Sequence, residues 1–284
     1  MPLAITEDHR ALADVAKAMV AGRSGTAGAR RILLGPKMDG RWWSDDGLWK
    51  EIVSTGWLGL HVDAQFGGEG YGLSELTIVL EQLGRAAIGG PFLPTVAVSS
   101  VIAEVGTDEQ RKRWLPGMTS GDIVAGICAT SNAKQSDSVV DADSVAALAE
   151  PASDVFLVPV GNDLVLVEAG DAVTRRSFDS VDQVMQPITV LSLSSAPVAD
   201  IFAGAAGRAG RIVRLLAAAE AVGGLAACTE LATAYAATRE QFGRPIGSFQ
   251  AVKHHCANML VDSELAVAVT WDAARANGLE AELA

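Results

Sequence analysis

REQFGRPIGSFQAVKHHCANM, the run from Arg239 to Met259, separates two long apolar stretches and decides how the rest of the chain is read. Pro245 has no N–H to give to a helix, and Gly243 and Gly247 flank it, so a helix must break here. Upstream, Ile212 to Thr238 is rich in helix formers, with Leu215, Leu216, Ala219, Val222 and Ala226 making a dense apolar face. Gly223-Gly224 in its middle costs about 1 kcal/mol per residue against Ala, so a closely packed neighbouring helix is expected as compensation. Downstream, Phe249 to Ala276 reads as a second long helix with Asn277-Gly278 as its stop, and Leu279 to Ala284 as the first turns of another. The break itself carries Arg239, Gln241, Phe242, Arg244 and the stretch Ser248 to Gln250. Arginine forks match phosphate oxygens, an aromatic ring covers a flat ligand ring, and glutamine addresses ring edges. Taken alone, these residues fit a ligand surface or a solvated loop.

Toward the N-terminus the pattern is helical as far as residue 123. Thr6 with Glu7 and Asp8 is an N-cap followed by first-turn acids, and Leu12, Val15, Ala16 and Met19 share a face. GRSGTAG (Gly22 to Gly28) is a stop. Trp49, Ile52 and Val53 continue an apolar stripe into Trp57-Leu58-Gly59-Leu60. After the glycine-rich loop Phe66 to Gly72, Leu76, Val79, Leu80 and Leu83 mark a second amphipathic helix. TDEQRKRW (Thr107 to Trp114) has a Thr cap, early acids and late bases. Between Ile123 and Val198 the character changes. VFLVPV (Val155 to Val160) and LVLV (Leu164 to Val167), joined by Gly161-Asn162-Asp163, read as a β-hairpin, with Pro159 at an edge or a strand end. Short runs at Ile188 to Leu193 and around Val198 suit the same sheet. The expected organisation is α+β, mostly α: a helical domain over 1–123, a β-domain over 124–205 and a truncated helical bundle over 206–284.

Composition excludes several functions. Of 284 residues 49% are hydrophobic and 20% charged, which is globular, and 22 Lys+Arg against 34 Asp+Glu leave a net charge of −12. That balance repels phosphate backbones and anionic lipid, so neither nucleic acid nor a membrane surface is an expected partner. The uncharged run Ala86 to Ala103 approaches spanning length, but Gly89, Gly90, Pro91, Pro94, Ser99 and Ser100 predict a bend inside a soluble domain. The acidic N-terminus does not read as a signal peptide, and Cys128, Cys228 and Cys256 read as reduced thiols, so the expected location is cytoplasmic.

The simple motifs fail. Gly67 to Gly72 and Gly204 to Gly210 match neither a dinucleotide fingerprint nor a phosphate loop. His254, His255 and Cys256 are consecutive, so on a helix they diverge and cannot share one metal. No Gly-x-Ser-x-Gly elbow is present.

The run from Arg239 to Met259 closely resembles the C-terminal-domain signature of acyl-CoA dehydrogenases. WLGLHVDAQFGGEGYGLSELTIVLEQLGR (Trp57 to Arg85) resembles the N-terminal helical domain of the same family, and the order helices, β-domain, helices is the family's order. The resemblance implies flavin adenine dinucleotide (FAD) as cofactor, an acyl-CoA thioester as substrate and an electron-transfer acceptor. It also implies that Arg239, Phe242 and Gln250 contact the flavin nucleotide of a neighbouring subunit. In the middle domain, Cys128 to Asp137 corresponds to a family stretch of which Thr130 and Ser136 survive as flavin or substrate contacts. The glycines and the Glu-Pro of that stretch are gone, and no Trp lies between Trp114 and Trp271 to cover the flavin.

The resemblance also shows what is missing. Family members place a catalytic Glu at one of two positions; the earlier falls on Val213, followed by Arg214, and the later lies past Ala284. Glu220 and Glu230 share a helix with Val213 but match neither position. No residue of this chain is therefore assigned as catalytic. The pattern is similar to the N-terminal, non-catalytic half of actinobacterial acyl-CoA dehydrogenases that act on steroid side-chain thioesters, fused or in two subunits. The implied partner is a second acyl-CoA dehydrogenase half supplying the base. Two other readings stay open: a structural or regulatory subunit without cofactor contact, and a self-sufficient homo-oligomeric dehydrogenase.

Overall fold

The computed structural model describes residues 6–21, 47–128, 130–177 and 188–276; the expected stops at Gly22 to Gly28 and Asn277-Gly278, and the turns at 279–284, fall outside them. Among the described residues, five α-helices come first: α1 (Glu7–Ala21), α2 (Leu48–Ser54), α3 (Leu73–Arg85), α4 (Phe92–Val105) and α5 (Asp108–Thr119). Two of their caps are those the sequence announces. Thr6 Oγ1 accepts from His9 N at 3.1 Å while His9 Nδ1 accepts from Thr6 N at 3.3 Å. Thr107 and Gln110 make the same reciprocal pair, at 3.3 and 2.9 Å, at the start of α5. In α1 the buried residues are Ala16 and Val20, with Leu12 and Met19 partly covered. Val15 is exposed, so the core-facing stripe is rotated from the expected one.

The Ala86–Ala103 run does not bend where expected. Its break ends at Pro91, and Pro94, Ser99 and Ser100 all lie inside α4. Pro94 sits in the first turn, where an N–H has no intrahelical partner to lose. Ser100 Oγ donates to Val96 O at 2.6 Å, which satisfies a buried hydroxyl without interrupting the helix. α4 is thus buried from Phe92 to Ile102, and its last turn, with Glu104, reaches the surface.

Seven strands follow among the described residues: β1 (Ala125–Cys128), β2 (Lys134–Ser136), β3 (Val139–Leu148), β4 (Val155–Val160), β5 (Asp163–Glu168), β6 (Val173–Ser177) and β7 (Ile188–Phe202). The order is β2-β3-β1-β4-β5-β7-β6, and β3 also pairs with β7, so β3, β1, β4, β5 and β7 close into a five-stranded ring. The predicted hairpin is present with Val155 opposite Glu168 and Val160 opposite Asp163. Pro159 lies beyond the β1 pairing, which covers Val155 to Leu157 only, so it marks a strand end. The two short runs expected at Ile188 to Leu193 and Val198 are one fifteen-residue strand. Phe156, Val158, Val165 and Val167 point into the ring, and Val155, Leu157, Leu164 and Leu166 join the helical core. Period-2 alternation with both faces buried is why VFLVPV and LVLV read as continuous apolar runs.

Asp200 on β7 fastens the ring to α5. It accepts from Trp114 Nε1 at 2.5 Å, Gln110 Nε2 at 3.1 Å and Arg113 Nη1 at 3.4 Å.

The chain returns to helix at α6 (Ala206–Thr238), a 33-residue helix, and the last described element is α7 (Gln250–Arg275). α6 is long and apolar enough to cross a membrane by length and composition; its first half packs into the helical core, and the helix contacts α3, α4 and α7. The expected close approach at Gly223-Gly224 is real. A Cβ on Gly223 would stand 2.0 Å from Glu81 O, and one on Gly84 would stand 1.9 Å from Glu220 O. Paired glycines let α3 and α6 cross backbone to backbone.

Candidate functional site

The connector between α6 and α7 is a rigid display built from the predicted breakers. Glu240–Gln241 and Arg244–Pro245 pair as a two-residue ladder, β8 and β9, around a tight turn at Phe242-Gly243. Both turn residues have positive φ, +53° and +76°. Gly tolerates that at no cost; Phe does so against about 1 kcal/mol of backbone preference. The loop is closed by Ile246 N donating to Arg239 O at 2.7 Å. Gly247 is pressed against α6, where a Cβ would lie 2.8 Å from Ala236 O.

The side chains of this rigid loop face outward. Phe242 is 92% exposed and meets Phe249 edge-on, with centroids 6.1 Å apart at 84°. The Arg244 guanidinium lies 4.1 Å over the Phe249 ring. Arg239 is exposed, and among the described residues its guanidinium has no partner. Gln250 is exposed at the first turn of α7, whose N-cap, Phe249, offers no side-chain oxygen to the free N–H groups. Unpartnered donors beside an exposed ring are what a dinucleotide's phosphates and flat rings would engage, so the residues present fit the cofactor implied for them.

The other two predicted contacts stand elsewhere. Thr130 and Ser136 are both exposed on the segment from the end of β1 to β2, on the barrel. Ser131 Oγ donates to Pro159 O and accepts from Ala133 N at 3.2 Å, which ties down this segment in place of the absent glycines. Cys128, at its start, points into the barrel, and burial pushes its thiol up to about 12. It stays protonated at neutral pH. Thus Arg239, Phe242 and Gln250 are grouped on one connector, while Thr130 and Ser136 belong to a different unit.

A second feature was not anticipated. A cleft of about 990 Å³ opens between α4, α6 and α7, with His61, Ser100, Glu104, Arg208, Arg211 and Arg214 among its walls. Arg208 and Glu104 form an ion pair across it. His61 Nε2 is 3.0 Å from Ser99 Oγ, and its Nδ1 is enclosed without a partner. Burial lowers the imidazole to about 4, so it is neutral at pH 7. Glu220 is buried at the α3 crossing and is not among the cleft walls, and Val213 packs against the helical core. The readable signal was RAGRIVR, three arginines at three-residue spacing in an acid-rich chain. Among the described residues no cluster of His, Cys, Asp and Glu could hold a metal ion.

Comparison with known proteins agrees with this architecture. Residues 6–122 match the acyl-CoA dehydrogenase N-terminal domain and residues 207–282 the acyl-CoA dehydrogenase C-terminal domain. Acyl-CoA dehydrogenase FadE12 of Mycobacterium tuberculosis is 30% identical over 269 residues, covering 80% of this chain and 68% of its own. Acyl-CoA dehydrogenase FadE34 of the same organism is 31% identical over 228 residues, and acyl-CoA dehydrogenase IpdE2 of Mycolicibacterium smegmatis 29% over 229. The chain spans 31% of the first of these two and 66% of the second. Among solved structures, the ChsE4-ChsE5 complex from Mycobacterium tuberculosis superposes with a TM-score of 0.82 at 26% identity, over 96% of this chain and 79% of that one. A helical unit, a closed β-unit and a helical pair in this order, with both helical units matched, place the chain in the acyl-CoA dehydrogenase family.

Proposed function

We propose that this chain is the non-catalytic half of an acyl-CoA dehydrogenase that introduces an α,β double bond into an acyl-CoA thioester, and that a partner half supplies the base. The cofactor of the family is FAD, which, when bound, takes up the β-hydrogen as hydride while a carboxylate removes the α-proton. In this reading Arg239, Phe242 and Gln250 reach across the interface and hold the partner's nucleotide, Arg239 by charge-assisted bonds to phosphate and Phe242 by covering a ring. Thr130 and Ser136 belong to this chain's own barrel and serve a flavin or substrate there. Helices over 1–123, barrel over 124–205 and helices over 206–284 are the three working units.

The observation that carries the reading is the connector: a strained, exposed Phe242 beside an unpartnered Arg239 on a loop otherwise tightly closed. Likeness to a chain of the ChsE4-ChsE5 complex supports a two-component assembly. Val213, apolar and packed where the resemblance places a base, supports the non-catalytic role. It equally favours a second reading, a structural subunit that never touches cofactor.

The visible spectrum separates these. The chain is purified alone and then with its co-expressed neighbouring polypeptide. A colourless chain and a yellow complex are expected, with Arg239→Ala lowering the flavin content of the complex. Flavin in the isolated chain would instead favour a self-sufficient enzyme. A complex that keeps full flavin after loss of both Arg239 and Phe242 would leave the structural subunit.

A further inference from the structure

The connector between α6 and α7 carries two arginines, and the structure puts them to different uses. Arg239, at the C-cap of α6, is exposed, and among the described residues its guanidinium has no partner. Arg244 is committed. Its backbone is pinned opposite Gln241 in the β8–β9 ladder, and its guanidinium lies 4.1 Å over the Phe249 ring. Acids outnumber bases 34 to 22 in the chain and Glu240 stands on the facing strand, yet the contact Arg244 makes is with a ring.

Phe249 is a fixed support for that contact. Its N–H donates to Ile246 O at 3.1 Å, which closes the short turn Ile246–Ser248, and its carbonyl accepts from Lys253 N at 3.0 Å, the first bond of α7. The ring is half-buried and meets Phe242 edge-on, with centroids 6.1 Å apart at 84°. Phe242, 92% exposed at a φ of +53°, has little else to hold it. A guanidinium plane over an aromatic face and two rings in a T arrangement are each attractive. Arg244 on Phe249 and Phe249 on Phe242 therefore form a chain that runs from a pinned strand to the exposed ring.

A side chain oriented before it meets a ligand loses less rotamer freedom on binding. We propose that Arg244 is a positioning residue: it clamps Phe249, which holds Phe242 in the outward pose that covers a flat ligand ring, and the anion contact is left to Arg239. This rests on the connector being a flavin-nucleotide contact, so one arm of the test needs no flavin.

That arm is fluorine NMR of the full chain labelled with 4-fluorophenylalanine at its seven Phe positions, with Phe242 and Phe249 assigned from their Leu variants. Arg244→Gln is expected to move both resonances toward that of free 4-fluorophenylalanine while the others stay in place. Arg244→Lys is expected to move them about half as far, since the charge remains and the stacking plane does not. A Phe242 resonance that does not move in Arg244→Gln would overturn the proposal. The second arm is FAD dissociation from the complex with the co-expressed neighbouring polypeptide, followed by flavin fluorescence. Arg244→Gln is expected to weaken FAD about threefold, the scale of an exposed cation–ring contact. It is expected to add nothing when Phe242 is already Leu. The salt dependence of FAD binding is expected to stay that of the unaltered complex in Arg244→Gln and to flatten in Arg239→Ala. Additive losses, or a salt dependence that flattens in Arg244→Gln, would make Arg244 a direct ligand and overturn the proposal. FAD binding indifferent to both Arg239→Ala and Phe242→Leu would sink the flavin-contact reading, and the fluorine spectra would still decide whether Arg244 holds Phe242.

Discussion

The α3–α6 crossing and the α6–α7 connector both depend on glycine, for opposite ends. At the crossing, Gly84 and Gly223 remove side chains so that two backbones touch and water is excluded. At the connector, Gly243 and Gly247 let the chain turn tightly so that Phe242 is pushed out into water at 92% exposure. The first arrangement stabilises the fold. The second works against it locally, by backbone strain and an uncovered ring, and such local cost in an otherwise well-satisfied structure marks a surface kept for contact.

The contrast is broken most sharply at the crossing. Gly223→Val puts a branched carbon where even a Cβ would stand 2.0 Å from Glu81 O, so a loss of more than about 4 kcal/mol, or failure to fold, is expected in urea denaturation. Asp200→Ala comes next. It strips acceptors from Trp114, Gln110 and Arg113 together, and about 3 kcal/mol is expected to be lost, with the barrel separating from the helices under limited proteolysis.

His61 gives a pH-dependent test of burial at the cleft. Its folded value is depressed to about 4 from 6.5, so the unfolded chain binds more protons than the folded one between these values. Its neutral form therefore leaves stability intact above pH 6.5, and stability falls as pH drops through that window, by at most roughly 3 kcal/mol. His61→Gln is expected to flatten the difference in urea midpoint between pH 7 and pH 4. At the connector the sign reverses. Phe242→Gly is expected to stabilise the chain by about 1 kcal/mol in thermal melts, because the left-handed strain goes, while lowering flavin content of the assembled complex. A Phe242→Gly variant that is both less stable and fully flavinated would remove the argument that this residue is held out for contact.

The helices were legible because their caps and periodicity are local: Thr6, Thr107 and the stripe Leu76, Val79, Leu80, Leu83 lie within a few residues of what they act on. The connector was legible for the same reason, since Gly243, Pro245 and Gly247 announce it. Closure of the barrel was not. β3 is Val-Val-Asp-Ala-Asp-Ser-Val-Ala-Ala-Leu, small residues with a left-handed Ser144, and its pairing with β7 shifts register twice. Such a strand is defined by its neighbours and not by its own composition. Ser194-Ser195-Ala196-Pro197 interrupts the alternation of β7, so the sequence reads as two short runs, although the strand continues through these residues with Ser195 turned left-handed. The cleft was hidden because its walls come from segments far apart in the chain, and only the arginine spacing on α6 left a local trace.

The glycine crossing also sets a schedule for synthesis. Gly84 leaves the ribosome long before its contact at Glu220, and α5 before its anchor at Asp200. At ordinary elongation rates the delay is on the order of ten seconds. Through that interval α4, a mostly apolar helix, lacks the α6 helix that covers it. The nascent N-terminal third is therefore a natural client for a chaperone that holds hydrophobic helices, and its release awaits the arrival of α6.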